Sequence, residues 1–350
     1  METTSTSDAP LQNYSVYVQG DNIPLARAEI ESLVHVIDSS ADIQWQNRFG
    51  RIICDKNPIP FLGGRAVLLR ESGRILASAE AVSILESQLE DTMFDYADLS
   101  DIRFAIKVQD IGSVLESGEK SILASVIGAK IRKLTKWSVS LKQPDYVLTL
   151  FVGKDSAHLS ETYSSGLYKS LEQIGRKNRP FFHPSMMNTI LARIMCNIAT
   201  IMPSHTLLDP FCGGGGILVE SAKIGLRVIG IDTNWHLLSG ARRNLLTVSH
   251  SNFSLIQADS KNLPLSDIDY IVTDPPYGRT SSTRGTETKR LVSKFLGYIA
   301  NWKSSPIICI CSDAKMNLES LFQDLGGCVQ YQIQIPVHRS LTREIFRVTF

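Results

Sequence analysis

No run of uncharged apolar residues in this chain approaches the roughly 20 that a helix needs to cross a bilayer. The opening Met1-Glu2-Thr3-Thr4-Ser5 lacks the basic start and apolar core of a secretion signal, so the expectation is a cytoplasmic protein. Cysteine is sparse and badly spaced for metal chemistry. The six residues, Cys54, Cys196, Cys212, Cys309, Cys311 and Cys328, include no pair separated by two others, which signals neither a zinc site nor a disulfide framework and leaves no metal expected. An excess of either charge is missing too. With 36 Lys and Arg against 35 Asp and Glu the net charge is +1, which excludes a uniformly basic nucleic-acid binder and confines any such affinity to local patches. There is no tandem repeat and no low-complexity tract. What remains is ordinary globular usage, 350 residues with 43% hydrophobic and 20% charged, enough for about two or three domains with sizeable cores.

The chemistry starts at Asp274-Pro275-Pro276-Tyr277-Gly278, which follows the apolar run Tyr270-Ile271-Val272. At a strand end this sequence fixes a carboxylate, two residues without N–H donors and an aromatic ring in one short rigid loop. Such a loop suits a planar group bearing an –NH2. Asp274 and the carbonyl of Pro275 would accept its two hydrogens while Tyr277 stacks on the ring, a contact worth about 1–3 kcal/mol for a nucleobase. Acceptors aimed at one amine also orient its lone pair, which must leave conjugation before it can attack an electrophilic methyl group. Asp274 or water then takes the proton. The bland alternative is a turn after a strand, and the upstream context tells against it.

Thr206-Leu207-Leu208-Asp209 reads as a buried strand, Gly213 to Gly216 as a tight turn, and Ile217-Leu218-Val219-Glu220 as the start of a helix. A second apolar run, Arg227 to Ile231, ends in Asp232, suited to bridging two ribose hydroxyls. A third, Phe253 to Gln257, ends near Asp259, suited to accepting from an adenine amine. Each acid alone is more often a surface cap or turn residue. In series with the glycine turn and the Asp-Pro-Pro-Tyr strand end, they match the plan of S-adenosylmethionine-dependent methyltransferases. Rival ligands fit the glycine loop less well. A phosphate-binding Walker loop needs Gly-Lys-Ser/Thr where Gly216 is followed by Ile217 and Leu218, and a dinucleotide fingerprint from Gly213 wants glycine or alanine at Leu218. A nicotinamide-linked oxidoreductase stays as the outside alternative for the fold.

Leu208-Asp209-Pro210-Phe211-Cys212-Gly213-Gly214-Gly215 with Asp274 to Gly278 resembles the amino-group methyltransferases of nucleic acids. Two further stretches, Arg179-Pro180-Phe181-Phe182-His183-Pro184-Ser185-Met186-Met187 and His338-Arg339-Ser340-Leu341-Thr342-Arg343, are similar to the archaeal tRNA guanine-10 N2-methyltransferases. The resemblance implies an α/β, Rossmann-like class I methyltransferase domain with a mostly parallel seven-stranded sheet, S-adenosyl-L-methionine as cofactor, and tRNA as substrate. It also implies a monomer, with a small activating subunit in some members. By the same resemblance Asp274, Pro275, Pro276 and Tyr277 are catalytic, and His183, Asp209, Pro210, Phe211, Cys212, Gly213, Gly215, Asp232 and Asp259 bind the cofactor. The sequence departs at Gly214 and Gly216, where many relatives carry serine and threonine, which tells against a side-chain contact to the cofactor carboxylate there. The product would be N2-methylguanosine and then N2,N2-dimethylguanosine. Adenine N6, another tRNA guanine and ribosomal RNA stay as alternative targets. A non-catalytic RNA scaffold would have no need for Asp209, Asp232, Asp259 and Asp274 together.

The family also carries an N-terminal α+β region with an RNA-binding THUMP domain. Tyr14 to Val18 and Phe49 to Cys54 read as strands around a helix at Ala26 to Val34, and look like a ferredoxin-like unit over residues 11–60 behind a disordered tail at 1–10. Ala66 to Leu69 and Arg103 to Val108 supply further strands, with a helix across Ala79 to Leu89, and the THUMP domain is placed at 61–155. Ile122, Val126, Ile127, Ile131 and Leu134 recur at helical spacing under a basic face of Lys130, Arg132, Lys133 and Lys136, expected to grip RNA. Residues 156–180 read as a partly helical basic linker with Arg176 and Lys177, a ruler between RNA grip and chemistry. The methyltransferase domain fills 181–350. Arg279 to Thr286 reads as a mobile loop whose Arg279 and Arg284 close on the RNA backbone, while Arg339 and Arg343 line the RNA path at the rim of the last two strands.

Overall fold

Alternating apolar patterning in the first half and buried strands between amphipathic helices in the second build two separate units, Met1–Leu167 and Tyr168–Phe350, in this computed structural model. The structure describes residues 12–92, 94–95, 97–174, 179–248, 252–260, 265, 268–276 and 282–350.

The first unit contains strands β1 (Gln12–Val18), β2 (Asp42–Gln46), β3 (Phe49–Cys54), β4 (Leu69–Ala79), β5 (Arg103–Asp110), β6 (Ser138–Val139), β7 (Tyr146–Val152) and β8 (Ala157–Ser164). Its helices are α1 (Ile23–Ile37), α2 (Ile59–Arg65), α3 (Val82–Gln88) and α4 (Glu119–Leu134). One sheet runs in the order β2-β3-β1-β4-β8-β7-β5-β6, parallel only where β5 meets β6 and β7. Because β4 pairs with both β1 and β8, this sheet is continuous across the spans expected as separate units at 11–60 and 61–155.

Three local expectations change. The strand foreseen at Ala66 begins only at Leu69, because the N–H groups of Val67 and Leu68 donate instead to the two carboxylate oxygens of Glu29 on α1, at 2.9 and 2.8 Å. The span expected as a linker opens with β8, a central strand whose one face carries buried His158, Ser160 and Thr162. His158 and Thr162 find partners there, Ser78 Oγ on His158 Nδ1 at 2.8 Å and Thr149 on Thr162 at 2.7 Å, so this face of the strand can be polar. On α4 only Ile127 and Ile131 of the apolar series are fully buried, while Ile122 is 63% exposed. Arg132, Lys133 and Lys136 are exposed as expected, and Lys130 Nζ lies 2.5 Å from Glu90.

The second unit begins with α5 (Leu167–Ile174) and α6 (Thr189–Ile198), then β9 (Thr206–Asp209), α7 (Gly216–Ile224), β10 (Arg227–Asp232), α8 (Trp235–Leu245) and β11 (Phe253–Gln257). It continues with β12 (Tyr270–Thr273), α9 (Ser282–Ile299), β13 (Ile307–Asp313), α10 (Leu318–Asp324), β14 (Cys328–His338) and β15 (Leu341–Thr349). The seven-stranded sheet has the order β11-β10-β9-β12-β13-β15-β14. Five neighbouring strands are parallel, and β15 runs antiparallel to both β13 and β14. Leu208, Ile271, Ile308 and Phe346 of the sheet pack with Phe295 of α9 and Phe322 of α10. The chain is helical from Ser282, so the loop expected through Thr286 is shorter than its small residues suggested. Among the described residues no helix is long and apolar enough to cross a membrane.

Replacing Glu29 with Ala removes the acceptors of two backbone donors in a buried place. We expect it to destabilise the first unit by about 2–4 kcal/mol, seen as an earlier transition in urea unfolding, with Glu29→Gln losing less.

Candidate active site

The chain builds outward from β9 to β10 and β11, then crosses back to lay β12 on the other side of β9. At such a switch point the neighbouring connections part, leaving a crevice at the carboxyl ends of the strands. Four acids stand along that edge. Asp209 closes β9, Asp232 closes β10, Asp259 follows β11 by two residues, and Asp274 directly follows β12. All four line one cavity of about 600 Å³, together with Pro210, Phe211, Cys212, Gly213, Pro275 and Pro276.

Asp209 is 2% exposed, and burial pushes its carboxyl up to about 7. Hydrogen bonds from Thr273 Oγ1 (2.7 Å) and the Phe211 N–H (3.2 Å) pull against that shift, while nearby Asp274 and Asp232 add to it. A carboxyl group in this state ionises readily beside a cation. Asp232 accepts one backbone hydrogen bond on each oxygen, from the N–H of Gly213 at 3.0 Å and of Asn234 at 2.8 Å, which ties the glycine turn to the end of β10. Burial raises the Cys212 thiol well above its ordinary range, so it contributes shape rather than a nucleophile.

The turn itself depends on its glycines. Gly213 and Gly215 adopt φ of +50° and +81°, which side chains resist. At Gly214 the constraint is space, since a Cβ would fall 2.5 Å from Met186 Sδ. A Cβ at Gly216 would come 3.0 Å from the Met187 carbonyl oxygen. A serine at 214 or a threonine at 216 would therefore intrude on the chain's own segment from Phe181 to Met187. That segment walls the cavity through Pro184, Ser185, Met186 and Met187.

Its anchor is a residue that sequence reasoning missed. Asn244, 1% exposed on α8, accepts from the Phe181 N–H at 3.0 Å and donates to the carbonyls of Phe181 at 3.1 Å and Gly214 at 3.0 Å. The only signal was a polar residue in the buried stripe of Leu238, Ala241 and Leu245. The Phe181 ring lies where any Cβ on Gly240 would sit, with the Arg243 guanidinium 5.1 Å from its centre. Just before the segment, two residues ahead of Phe181, Arg179 donates to Thr189 and joins Arg193 and Lys223 around the fully buried carboxylate of Glu220.

His183, expected on the cofactor side, does not line the cavity. Its Nδ1 lies 2.6 Å from Ser185 Oγ and accepts from the Ser185 N–H, so the ring caps its own turn and leaves the wall to the next four residues. Gly215 also stands behind the lining, against Ala241. Tyr277, Arg176, Lys177 and Arg279 lie outside the described residues, as does the side chain of Arg284. Arg339 is exposed in the turn between β14 and β15. Arg343, expected at an outer rim, is among the residues lining the cavity.

A crevice that offers carboxylates to a cation and its ribose on one side of β9, and an acid followed by two prolines on the other, suits a sulfonium nucleoside, and the open space above Gly213 admits one. Fold and site together define a class I, S-adenosylmethionine-dependent methyltransferase. The family model for an RMKL-like methyltransferase domain matches residues 176–345. The chain is 33% identical over 244 residues to the tRNA (guanine(10)-N2)-dimethyltransferase of Methanothermobacter thermautotrophicus, covering 69% of this chain and 71% of that one. It is 25% identical over 362 residues to the enzyme of the same name from Methanocaldococcus jannaschii, covering 94% and 97%. It belongs to this tRNA (guanine(10)-N2)-dimethyltransferase family. TrmN from Thermus thermophilus shares the fold at 16% identity, with a TM-score of 0.54 over 96% of this chain and 99% of that one.

Two outcomes follow from the site. Asn244→Ala leaves the Phe181 N–H and the Gly214 carbonyl unpaired in a buried place, so it should cost about 2–4 kcal/mol in chemical denaturation and weaken S-adenosylmethionine binding measured by calorimetry. Because the Asp209 carboxyl is raised in the folded state, its contribution to stability is fully present below about pH 4 and is lost as pH climbs to about 7. Asp209→Asn escapes that loss, so its melting temperature relative to the parent should rise between pH 4 and pH 8.

Proposed function

We propose that this chain transfers the methyl group of S-adenosylmethionine to the exocyclic N2 of guanine 10 in tRNA, giving N2-methylguanosine and then N2,N2-dimethylguanosine. The observation that carries the reading is the placement of Asp274, Pro275 and Pro276 at the end of β12 in the same cavity as Asp209 and Asp232. The archaeal relatives are named for that atom.

S-adenosylmethionine, when bound, supplies an electrophilic methyl group on a positively charged sulfur. Asp232 and Asp259 hold ribose and adenine, and Asp209, ionised by the cation, balances its charge. Asp274 and the Pro275 carbonyl accept the two hydrogens of the guanine amine, turning its lone pair out of conjugation with the ring. As the new C–N bond forms, the methyl–sulfur bond would break and its electron pair leave with sulfur as S-adenosylhomocysteine; the nitrogen becomes acidic, and Asp274 takes the proton. Thr273 couples the two halves of the site, since its hydroxyl holds Asp209 while its backbone continues directly into Asp274. Tyr277 is assigned to stacking on the flipped base. Extruding a guanine from a stem costs a few kcal/mol, which these contacts offset.

In this reading the first unit, with a THUMP domain at 61–155, grips tRNA through exposed Arg132, Lys133 and Lys136, and Arg176, Lys177, Arg279, Arg284 and Arg339 contribute further contacts to the RNA backbone. The enzyme acts as a cytoplasmic monomer, and a small activating subunit is the further partner that the family resemblance implies.

The test incubates the purified chain with labelled S-adenosylmethionine and unmodified tRNA, digests the RNA to nucleosides and identifies the product by mass spectrometry. N2-methylguanosine and its dimethyl form are expected. Asp274→Ala should lower the rate by about 10²–10⁴-fold while cofactor binding is kept. Methyladenosine, or an Asp274 variant as active as the parent, would contradict the reading.

A further inference from the structure

We infer that Arg343 is the residue that distinguishes guanine from adenine, by donating hydrogen bonds to the 6-oxygen of the base whose 2-amine is methylated. The inference rests on the guanine-N2 reading and sharpens it. Asp274 and the Pro275 carbonyl present acceptors only, so they would hold the 6-amine of adenine as readily as the 2-amine of guanine. Something else in the cavity must separate the two bases.

Topology brings Arg343 there. Because β15 runs antiparallel to β13, its first residues stand at the edge where the parallel strands end, and Arg343 is the register partner of Asp313, the last residue of β13. It lines the cavity together with Asp274, Pro275 and Pro276. Among the described residues that line this cavity it is the single cation, in the company of Asp209, Asp232, Asp259 and Asp274. The acids answer a cationic cofactor; a guanidinium, with five donors and no acceptor, suits a ligand group that accepts.

Strand order says which ligand. From β10 to β15 the sheet steps across β9, β12 and β13, so at about 4.8 Å per strand Arg343 starts roughly 19 Å from the strand that ends in Asp232 but roughly 10 Å from the one that leads into Asp274. The guanidinium therefore belongs to the methyl acceptor's side of the cavity. Along the Watson–Crick edge of guanine the 2-amine and the N1–H are followed by O6, an acceptor. Adenine held by its 6-amine would instead present N1 and then a C2–H along that edge, leaving no oxygen for the guanidinium to meet. Arginine on O6 and N7 of guanine is a strongly discriminating contact, worth roughly 5- to 150-fold against the wrong base.

The experiment uses the full chain and tRNA in which the target guanosine alone is replaced by 2-aminopurine riboside, which keeps the 2-amine and lacks the 6-oxygen. Single-turnover methylation is compared for the parent, Arg343→Ala and Arg343→Gln, each checked for an unchanged melting temperature, with S-adenosylmethionine affinity measured alongside. The alanine variant should lose at least about tenfold on guanine and less than about twofold on 2-aminopurine. The glutamine variant, which keeps a donor, should recover part of the guanine rate. Equal losses on both bases would overturn the inference in favour of a phosphate contact or a structural role, and a loss of cofactor affinity would overturn it in favour of a cofactor contact. Failure of the underlying reading is separately visible, as parent enzyme that forms no N2-methylguanosine on unaltered tRNA.

Discussion

The burial of one carboxyl group among others at one edge of a sheet is the constraint on which the second unit depends. Asp209 is buried between the ends of β10 and β12, its carboxyl raised to about 7 by burial and further by Asp274 and Asp232. Folding alone gains nothing from that arrangement, because a buried carboxyl group that resists ionisation is less stable at neutral pH than an amide in its place would be. A positively charged ligand reverses the sign of the interaction. The cofactor assigned to this fold carries its charge on the sulfur that donates the methyl group, so the same electrostatics that burden the empty site organise the loaded one.

The glycine turn and the segment from Arg179 to Met187 complete the site from opposite sides. Each is shaped by the other, since Gly214 must lack a side chain for Met186 to lie where it does. Asn244 links the two backbones through Phe181 and Gly214, and the ion cluster around Glu220 fixes the start of the segment at Arg179 against α6 and α7. Binding surface is thus held by elements that touch no ligand themselves. This is the expected pattern where positioning to a fraction of an ångström decides the rate.

Much of this was legible in the sequence where the signal is local. The glycine turn after Asp209 and the prolines after Asp274 advertise their geometry through backbone chemistry, and the acid-ended strands announce the parallel sheet. What escaped reading is non-local or is carried by polar groups in buried places. Strand β8 hides because His158, Ser160 and Thr162 occupy positions where apolar residues would have marked a strand. Glu29 replaces strand pairing at Val67 and Leu68 from a helix about 38 residues upstream. Arg343 reads as a rim residue until the antiparallel entry of β15 carries it to the edge where Asp274 stands. His183 stands outside the cavity lining because its ring is turned back on Ser185, a contact that the His-Pro pair alone does not spell out.

The most direct test of the electrostatic account is the proton balance of cofactor binding. Titration calorimetry at pH 6.5 in buffers of different ionisation enthalpy should show S-adenosylmethionine releasing a fraction of a proton as the Asp209 carboxyl ionises. S-adenosylhomocysteine, lacking the sulfonium charge, should release less, and the difference should vanish in Asp209→Asn. Binding with no proton release, or release that persists unchanged in the asparagine variant, would contradict the claim that this carboxyl group is held ready for a cation.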